Sequence, residues 1–224
     1  ALPGWPPVEE RVAELDVPPE GLRVINLSAR EVDGSPAGSF DTGTHSAITS
    51  HAYRIRSNTP IAAYQFNPLE NVDVFSNDAS ILFPTEALDT EYLVLSWPQT
   101  IAPTDDPNND FGRHLRAFLS IVATAPGTDV SVTLSTRIIG DGDRIPDANA
   151  GETLHFNLDA YDVLNLETDG FLADFTGSHI SADKPVAVFT GSEASDVPLW
   201  EYFAERQCCA APLAHQLFPN YADG

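Results

Sequence analysis

Two stretches of this 224-residue chain can be laid over each other without a gap. Ile55–Tyr64 (IRSNTPIAAY) and Ile180–Phe189 (ISADKPVAVF) align at an offset of 125, with Ile55/Ile180, Pro60/Pro185 and Ala62/Ala187 identical. Asn58/Asp183, Ile61/Val186 and Tyr64/Phe189 are conservative pairs. Two more anchors keep the same order: Asn26–Ala29 (NLSA) over Asn157–Ala160 (NLDA) at offset 131, and the LFP tripeptides Leu82–Pro84 and Leu217–Pro219 at offset 135. Self-similarity of this kind constrains a fold strongly, because each copy must be one supersecondary unit.

The local physics of the copies is extended. Asn or Asp tolerates left-handed turn geometry, and Pro fixes φ where a strand begins. The branched, small and aromatic residues that follow suit a half-buried strand. Each copy therefore predicts a strand, a tight turn and a returning strand, with Pro60 and Pro185 at equivalent junctions and Tyr64 and Phe189 buried. Tyr92–Trp97 (YLVLSW), Arg116–Thr124 (RAFLSIVAT) and Asp129–Ser135 (DVSVTLS) are strongly β-prone, and Ala125–Thr128 (APGT) predicts a hairpin between the last two. Asp159–Glu167 and Phe171–Phe175 add further strands. Leu199–Gln216 is the one segment read as helical, as one or two short turns in a connection.

The expected fold is all-β, two related antiparallel β-rich modules packed sandwich-like, with propeller-like closure as the alternative. The modules are expected at 1–136 and 137–224. The second is expected to be incomplete at its C-terminal end, because the first LFP leads into three strands and the second into five residues. The strands lacking from it are expected from a further segment of the polypeptide or from a neighbouring chain at the open edge.

Charge and composition narrow the function classes. With 42% hydrophobic residues the chain can bury a core, and a net charge of −22 repels nucleic acid and anionic membranes. No run approaches the roughly 20 apolar residues of a membrane span, so membrane insertion is not expected. Eleven basic residues include a single lysine, Lys184, beside abundant Ala, Pro and Asp, a bias associated with GC-rich bacteria. Cys208 and Cys209 are the two cysteines, and a vicinal bridge is disfavoured by disulfide geometry. In an oxidising compartment their partners lie outside this sequence; otherwise they are buried thiols.

The segments YRIRSNTPIAAYQFNPLENVDVFSNDASILFP and ISADKPVAVFTGSEASDVP, the latter followed by CCAAPLAHQLFP, resemble the N-terminal domain family named after the IgGFc-binding protein, in particular its bacterial secreted and surface members. The resemblance covers most of the chain from about Gly21 onward. It implies an extracellular or cell-surface, β-rich, non-catalytic module for binding or adhesion. It carries no residue set for Fc contact. It also implies a cysteine where Ser195 stands here, which takes one partner from Cys208 or Cys209.

Asp141–Glu152 (DGDRIPDANAGE) is the most site-like run. Counted against a twelve-residue calcium loop, Asp141, Asp143, Asp147 and Glu152 supply oxygen ligands, but Pro146 stands where that loop needs Gly. These four are a weak calcium candidate against the alternative of an acidic turn; no other cofactor is expected. Cys208, Cys209 and His215 do not have structural zinc spacing. Ser192 lacks a nucleophile elbow, and the six histidines are scattered, so no enzyme is expected. Trp200, Tyr202 and Phe203 form a candidate contact patch, or a satellite core under their own loop. Two function classes follow. One is a binding or adhesion module for a protein or glycan; the other is a structural subunit of a surface layer or filament, assembling with neighbouring copies by strand pairing.

Overall fold

Alternation of branched apolar residues with small polar ones forces extended backbone through much of residues 89–195. The computed structural model describes residues 9–28, 31–36, 43–67, 77–108, 110–197 and 210–220. Eleven strands occur among them: β1 (Ala47–Thr49), β2 (Ala63–Asn67), β3 (Asp78–Leu82), β4 (Asp89–Leu93), β5 (Ala117–Ala123), β6 (Thr128–Thr133), β7 (Ile138–Ile139), β8 (Thr153–Leu158), β9 (Val163–Thr168), β10 (His179–Ser195) and β11 (Ala211–Gln216). A 3-10 turn, Thr85–Ala87, is the only helical element among the described residues. The protein is all-β.

Nine strands form one curled antiparallel sheet, and β2 and β3 form a second, two-stranded one. The large sheet is organised by β10. Along one edge of β10 lie β5 (Val186↔Ala123 to Ser192↔Ala117) and then β6 (His179↔Thr133 to Ala182↔Val130), end to end and in the same direction. Along the other edge lie β11 and β4. β9 and β8 in turn run end to end beside β5 and β6.

All three long segments break at one level, at residues 124–127, 159–162 and 183–185. The breaks are laced together. Asp129 N–H donates to Asp183 Oδ1 at 2.8 Å, Thr124 Oγ1 to the Pro185 carbonyl at 2.5 Å, and Lys184 Nζ to the Pro126 carbonyl at 3.1 Å. Gly127 (φ 60°) and Tyr161 (φ 66°) hold the left-handed conformations these corners need. Beyond the corners the sheet turns over on itself. Leu119, Ile121, Leu164, Leu166 and Val188 from one side join Val130, Val132, Phe156, Leu158 and Ile180 from the other in one buried cluster. That is a sandwich made by folding a sheet in two.

Several expectations are corrected. Ala125–Thr128 is not a hairpin turn: β5 and β6 do not pair with each other, because the segment bends a corner and continues along β10. Ile180–Phe189 is not strand–turn–strand but the middle of one 17-residue strand with a register shift between Ser181 and Val186. Pro185 thus sits inside β10, while Pro60 sits in irregular chain before β2. Tyr64 is 58% exposed and Phe189 half-buried, so they are not a buried pair. Residues 211–216, expected in a helical connection, are strand β11. The strands after the first LFP, expected to complete the chain that precedes them, pair instead with residues 153–192.

The two LFP segments lie against each other. The Phe83 and Phe218 rings are 4.3 Å apart. Gln216 accepts from Phe83 N–H at 2.7 Å and donates its own N–H to Ser80 Oγ at 3.1 Å, and Asp78 Oδ2 accepts Ala214 N–H at 2.8 Å. β3 and β11 therefore run side by side, joined through side chains.

Candidate functional site

A carboxylate in a fully buried strand has to be accounted for, since burying a charge without partners costs several kcal/mol. Every residue of β9 is buried, and its alternation sends Leu164 and Leu166 to the core and Asn165 and Glu167 to the opposite face. On that face lies a cavity of about 250 Å³ lined by His45, Phe118, Ser120, Asn165, Glu167, Ser192 and Glu193, among others.

The polar groups there are largely spent on one another. Glu167 Oε2 accepts the His45 backbone N–H at 2.7 Å and the Thr44 hydroxyl at 3.2 Å, and lies 3.8 Å from Arg116 Nε. Arg116, itself buried, donates Nη1 to the Thr168 carbonyl at 2.6 Å and Nε to the Gly43 carbonyl at 3.1 Å. Glu193 Oε2 accepts Arg116 N–H at 3.0 Å. His45 Nδ1 meets Asp33 Oδ2 at 3.1 Å. Ser120 Oγ donates to Asn165 Oδ1, whose amide donates to the His45 carbonyl at 3.0 Å. The cluster stitches residues 43–46, and Asp33 through His45, onto the large sheet.

Its charges shift one another. Burial pushes the Glu167 carboxyl up, and donors and charge from His45 and Arg116 only partly oppose this. Glu193 is solvent-exposed as a residue, yet its carboxyl end is desolvated and faces the Glu167 charge, which pushes it up to about 7. His45 loses hydration, but Asp33 and the Glu167 and Glu193 charges outweigh that and raise it. Asp33 goes down, because donors on Ser35 and His45 outweigh its desolvation. Their hydrogen bonds go elsewhere: Glu167 and Glu193 accept from backbone N–H groups and the Thr44 hydroxyl, and the His45 ring meets Asp33. The Ser192 hydroxyl on the same cavity accepts from Ser195 Oγ at 2.7 Å.

Close packing under the site is strict at Gly191. A Cβ there would lie 1.8 Å from the Leu213 carbonyl oxygen and 2.7 Å from the Phe118 ring, so only glycine lets β11 approach β10.

The residues singled out in the sequence lie elsewhere. Asp141 Oδ1 accepts the N–H groups of Asp143, Arg144 and Ile145, each at 2.8 Å. Burial raises its pKa, and those three donors outweigh the rise and lower it. Asp147 Oδ1 accepts Gly140 N–H at 2.9 Å, and Glu152 Oε2 accepts Asn149 N–H at 2.5 Å. Asp141, Asp147 and Glu152 thus accept from backbone N–H groups of separate turns, Asp143 enters the first turn through its own N–H, and among the described residues no three His, Cys, Asp or Glu side chains converge as metal ligands. Cys208, Cys209, Trp200, Tyr202 and Phe203 lie outside the described residues. The His45–Glu167–Arg116 cluster went unseen because its members are far apart in sequence. Its one local signal was Glu167, a charge in the otherwise uncharged run VLNLET.

No helix among the described residues is long and apolar enough to cross a membrane. No solved structure matches the chain. The family model described as IgGFc binding protein matches residues 78–222. The human IgGFc-binding protein is 31% identical over 202 residues, which are 90% of this chain and 3% of that protein's length. The family match runs from the start of β3 past the end of β11, the same span that supplies the long strands of the folded sheet, and the chain belongs to the IgGFc-binding protein family.

Proposed function

We propose that the chain is a non-catalytic binding module of an extracellular protein, acting by contact with a protein or glycan partner. Membership of the family supports the extracellular setting and the binding role, of which an adhesive task at a cell surface is the form taken here, and the Arg-rich, Lys-poor composition agrees with a bacterial source. The observation that carries the non-catalytic reading is the satisfaction of the buried cluster. Arg116, Glu167, His45 and Asn165 spend donors and acceptors on holding Gly43–His45 to the sheet, and the hydroxyl seen on Glu167, that of Thr44, belongs to that same fastening. The relative's name gives the first partner to test, the Fc part of immunoglobulin G. Surface plasmon resonance on the immobilised protein should give saturable binding to Fc or to one member of a glycan and mucin panel, with a Kd near or below about 1 µM, worth roughly −8 kcal/mol. Flat responses across the panel would remove this reading.

A second reading, a structural subunit assembling by strand pairing, has its own observation. Among the described residues, thirteen of the nineteen large apolar residues that remain exposed lie between Val12 and Ile81, many of them in strand-like segments without a ladder. Ordered assembly of the purified protein, seen by sedimentation and electron microscopy, would favour it over the first.

A further inference from the structure

The exposed N-terminal third carries the pattern of the buried part, position by position. In the β2–β3 ladder, Tyr64 faces Ile81, Gln65 faces Ser80 and Phe66 faces Ala79. In the β10–β11 ladder, Phe189 faces Gln216, Thr190 faces His215 and Gly191 faces Ala214. Adding 125 to the first member and 135 to the second converts four of the five pairs of the first ladder, Tyr64↔Ile81 to Asn67↔Asp78, into pairs of the second. The sequence offsets are thus also a register. By the same equivalences Leu22–Leu27 matches β8, and Arg54–Asn67 matches His179–Ser192 of β10.

The two regions differ in what lies between those strands. In the buried one, Ala117–Thr133 runs between β8–β9 and β10 and pairs with all of them. In the exposed one, Leu22–Leu27 and Arg54–Ala62 form no ladder among the described residues. Polar residues nonetheless stand at both positions that hold the inserted segment, one identical and one an Asn for an Asp. Asn157 Nδ2 donates to Asp129 Oδ1 at 2.7 Å, and Asp183 Oδ1 accepts Asp129 N–H at 2.8 Å. Their equivalents are Asn26 and Asn58, both exposed. Ile25, Leu27, Ile55 and Ile61 are 47%, 47%, 57% and 48% exposed, while their equivalents Phe156, Leu158, Ile180 and Val186 are 9%, 0%, 0% and 0%.

We propose that residues 22–28 and 54–67 are an acceptor site for one bent, antiparallel β-segment of the Ala117–Thr133 pattern, supplied by a different unit of this family and not by a second copy of this chain, whose own Ala117–Thr133 is already paired. The alternation needed is branched apolar residues inward and small polar ones outward, with a carboxylate at the position of Asp129 to accept from Asn26 and the backbone N–H of that same residue to donate to Asn58. Backbone pairing would supply affinity, and the apolar positions specificity. The site is separate from whatever external ligand the module binds, so it can fail while that binding holds.

The test uses the whole protein and, as probe, His114–Thr136 of its own sequence fused to a soluble carrier, with a scrambled fusion as control. The expected result is saturable one-to-one binding that newly protects amides of Val24–Leu27 and Ile61–Phe66 in hydrogen exchange and leaves Ile180–Val188 unchanged. The double variant Asn26→Ala/Asn58→Ala, on the surface, should weaken binding about tenfold or more without changing the melting temperature. Binding no better than the scramble overturns the proposal. So does protection changed only within residues 153–192, which would mean the probe merely exchanges with the native segment. Concentration-dependent dimerisation that protects residues 22–67 without the probe would assign the surface to a second copy and overturn the stated occupant.

Discussion

The described parts of residues 22–82 and 153–217 share a ladder register and an apolar pattern, yet one is largely exposed and the other largely buried. The difference is not in propensity. Leu27 and Leu158 follow the same Asn in the same local pattern, and only Leu158 has Ala117–Thr133 alongside it to close a core. Burial here is conferred by a third segment and is not encoded within the repeated pattern itself. A strand-like sequence with an apolar face is half of a solution until a neighbour supplies the rest.

Matched substitutions test this most severely. Leu158→Ala should lower stability by about 2–5 kcal/mol, a buried side chain lost to a cavity, while Leu27→Ala should stay within about 0.5 kcal/mol. Urea denaturation followed by tryptophan fluorescence reads both; equal losses would break the comparison. A smaller effect is expected at Tyr92, whose buried hydroxyl donates to the Val186 carbonyl at 2.7 Å across the corner of β10. Tyr92→Phe leaves that acceptor unpaired and should cost about 1–2 kcal/mol.

The pH dependence should come from the seam where Asp33 and His45 meet the folded sheet at Glu167 and Glu193. Glu193, raised from 4.5 to about 7, binds more protons folded than unfolded in that interval, so it lowers stability as pH rises through it. His45, raised above 6.5, contributes stability that is complete below 6.5 and lost as pH climbs through its folded value. Asp33, lowered from 3.8, acts only when the solution becomes more acid than that. The melting temperature should therefore be higher near pH 5 than at pH 8, and Glu193→Gln should flatten the slope. A stability that rises over this interval would contradict the cluster's geometry. Calcium gives the smallest effect. A site of about millimolar affinity at Asp141–Glu152 would add about 0.4 kcal/mol in 1 mM calcium, abolished by Asp141→Asn. A melting temperature unmoved by calcium or EDTA leaves these acids as turn caps.

What could be read in the sequence was local. Tyr92–Trp97, Arg116–Thr124 and Asp129–Ser135 announce strands through branched and aromatic residues, and β4, β5 and β6 occupy parts of them. Their pairing was not readable, because Pro126–Gly127 is as compatible with a corner as with a reversal. The choice is made by Lys184, Asp183 and Pro185, more than fifty residues away. The polar cluster was hidden for the same reason. His45 and Glu167 are 122 residues apart, and neither carries a motif.

The central place of β10 also sets an order of events during synthesis. Tyr92 must wait for Ile180, and Ala123 for Val186, so the segment from β4 to β6 leaves the ribosome with its pairing edges open. Contacts so distant along the chain make folding slow, and unpaired apolar strands are sticky in the interval. The single lysine, Lys184, reaches the corner carbonyls only once β10 has emerged. A nascent chain halted before β10 should aggregate, and one extended past β11 should not.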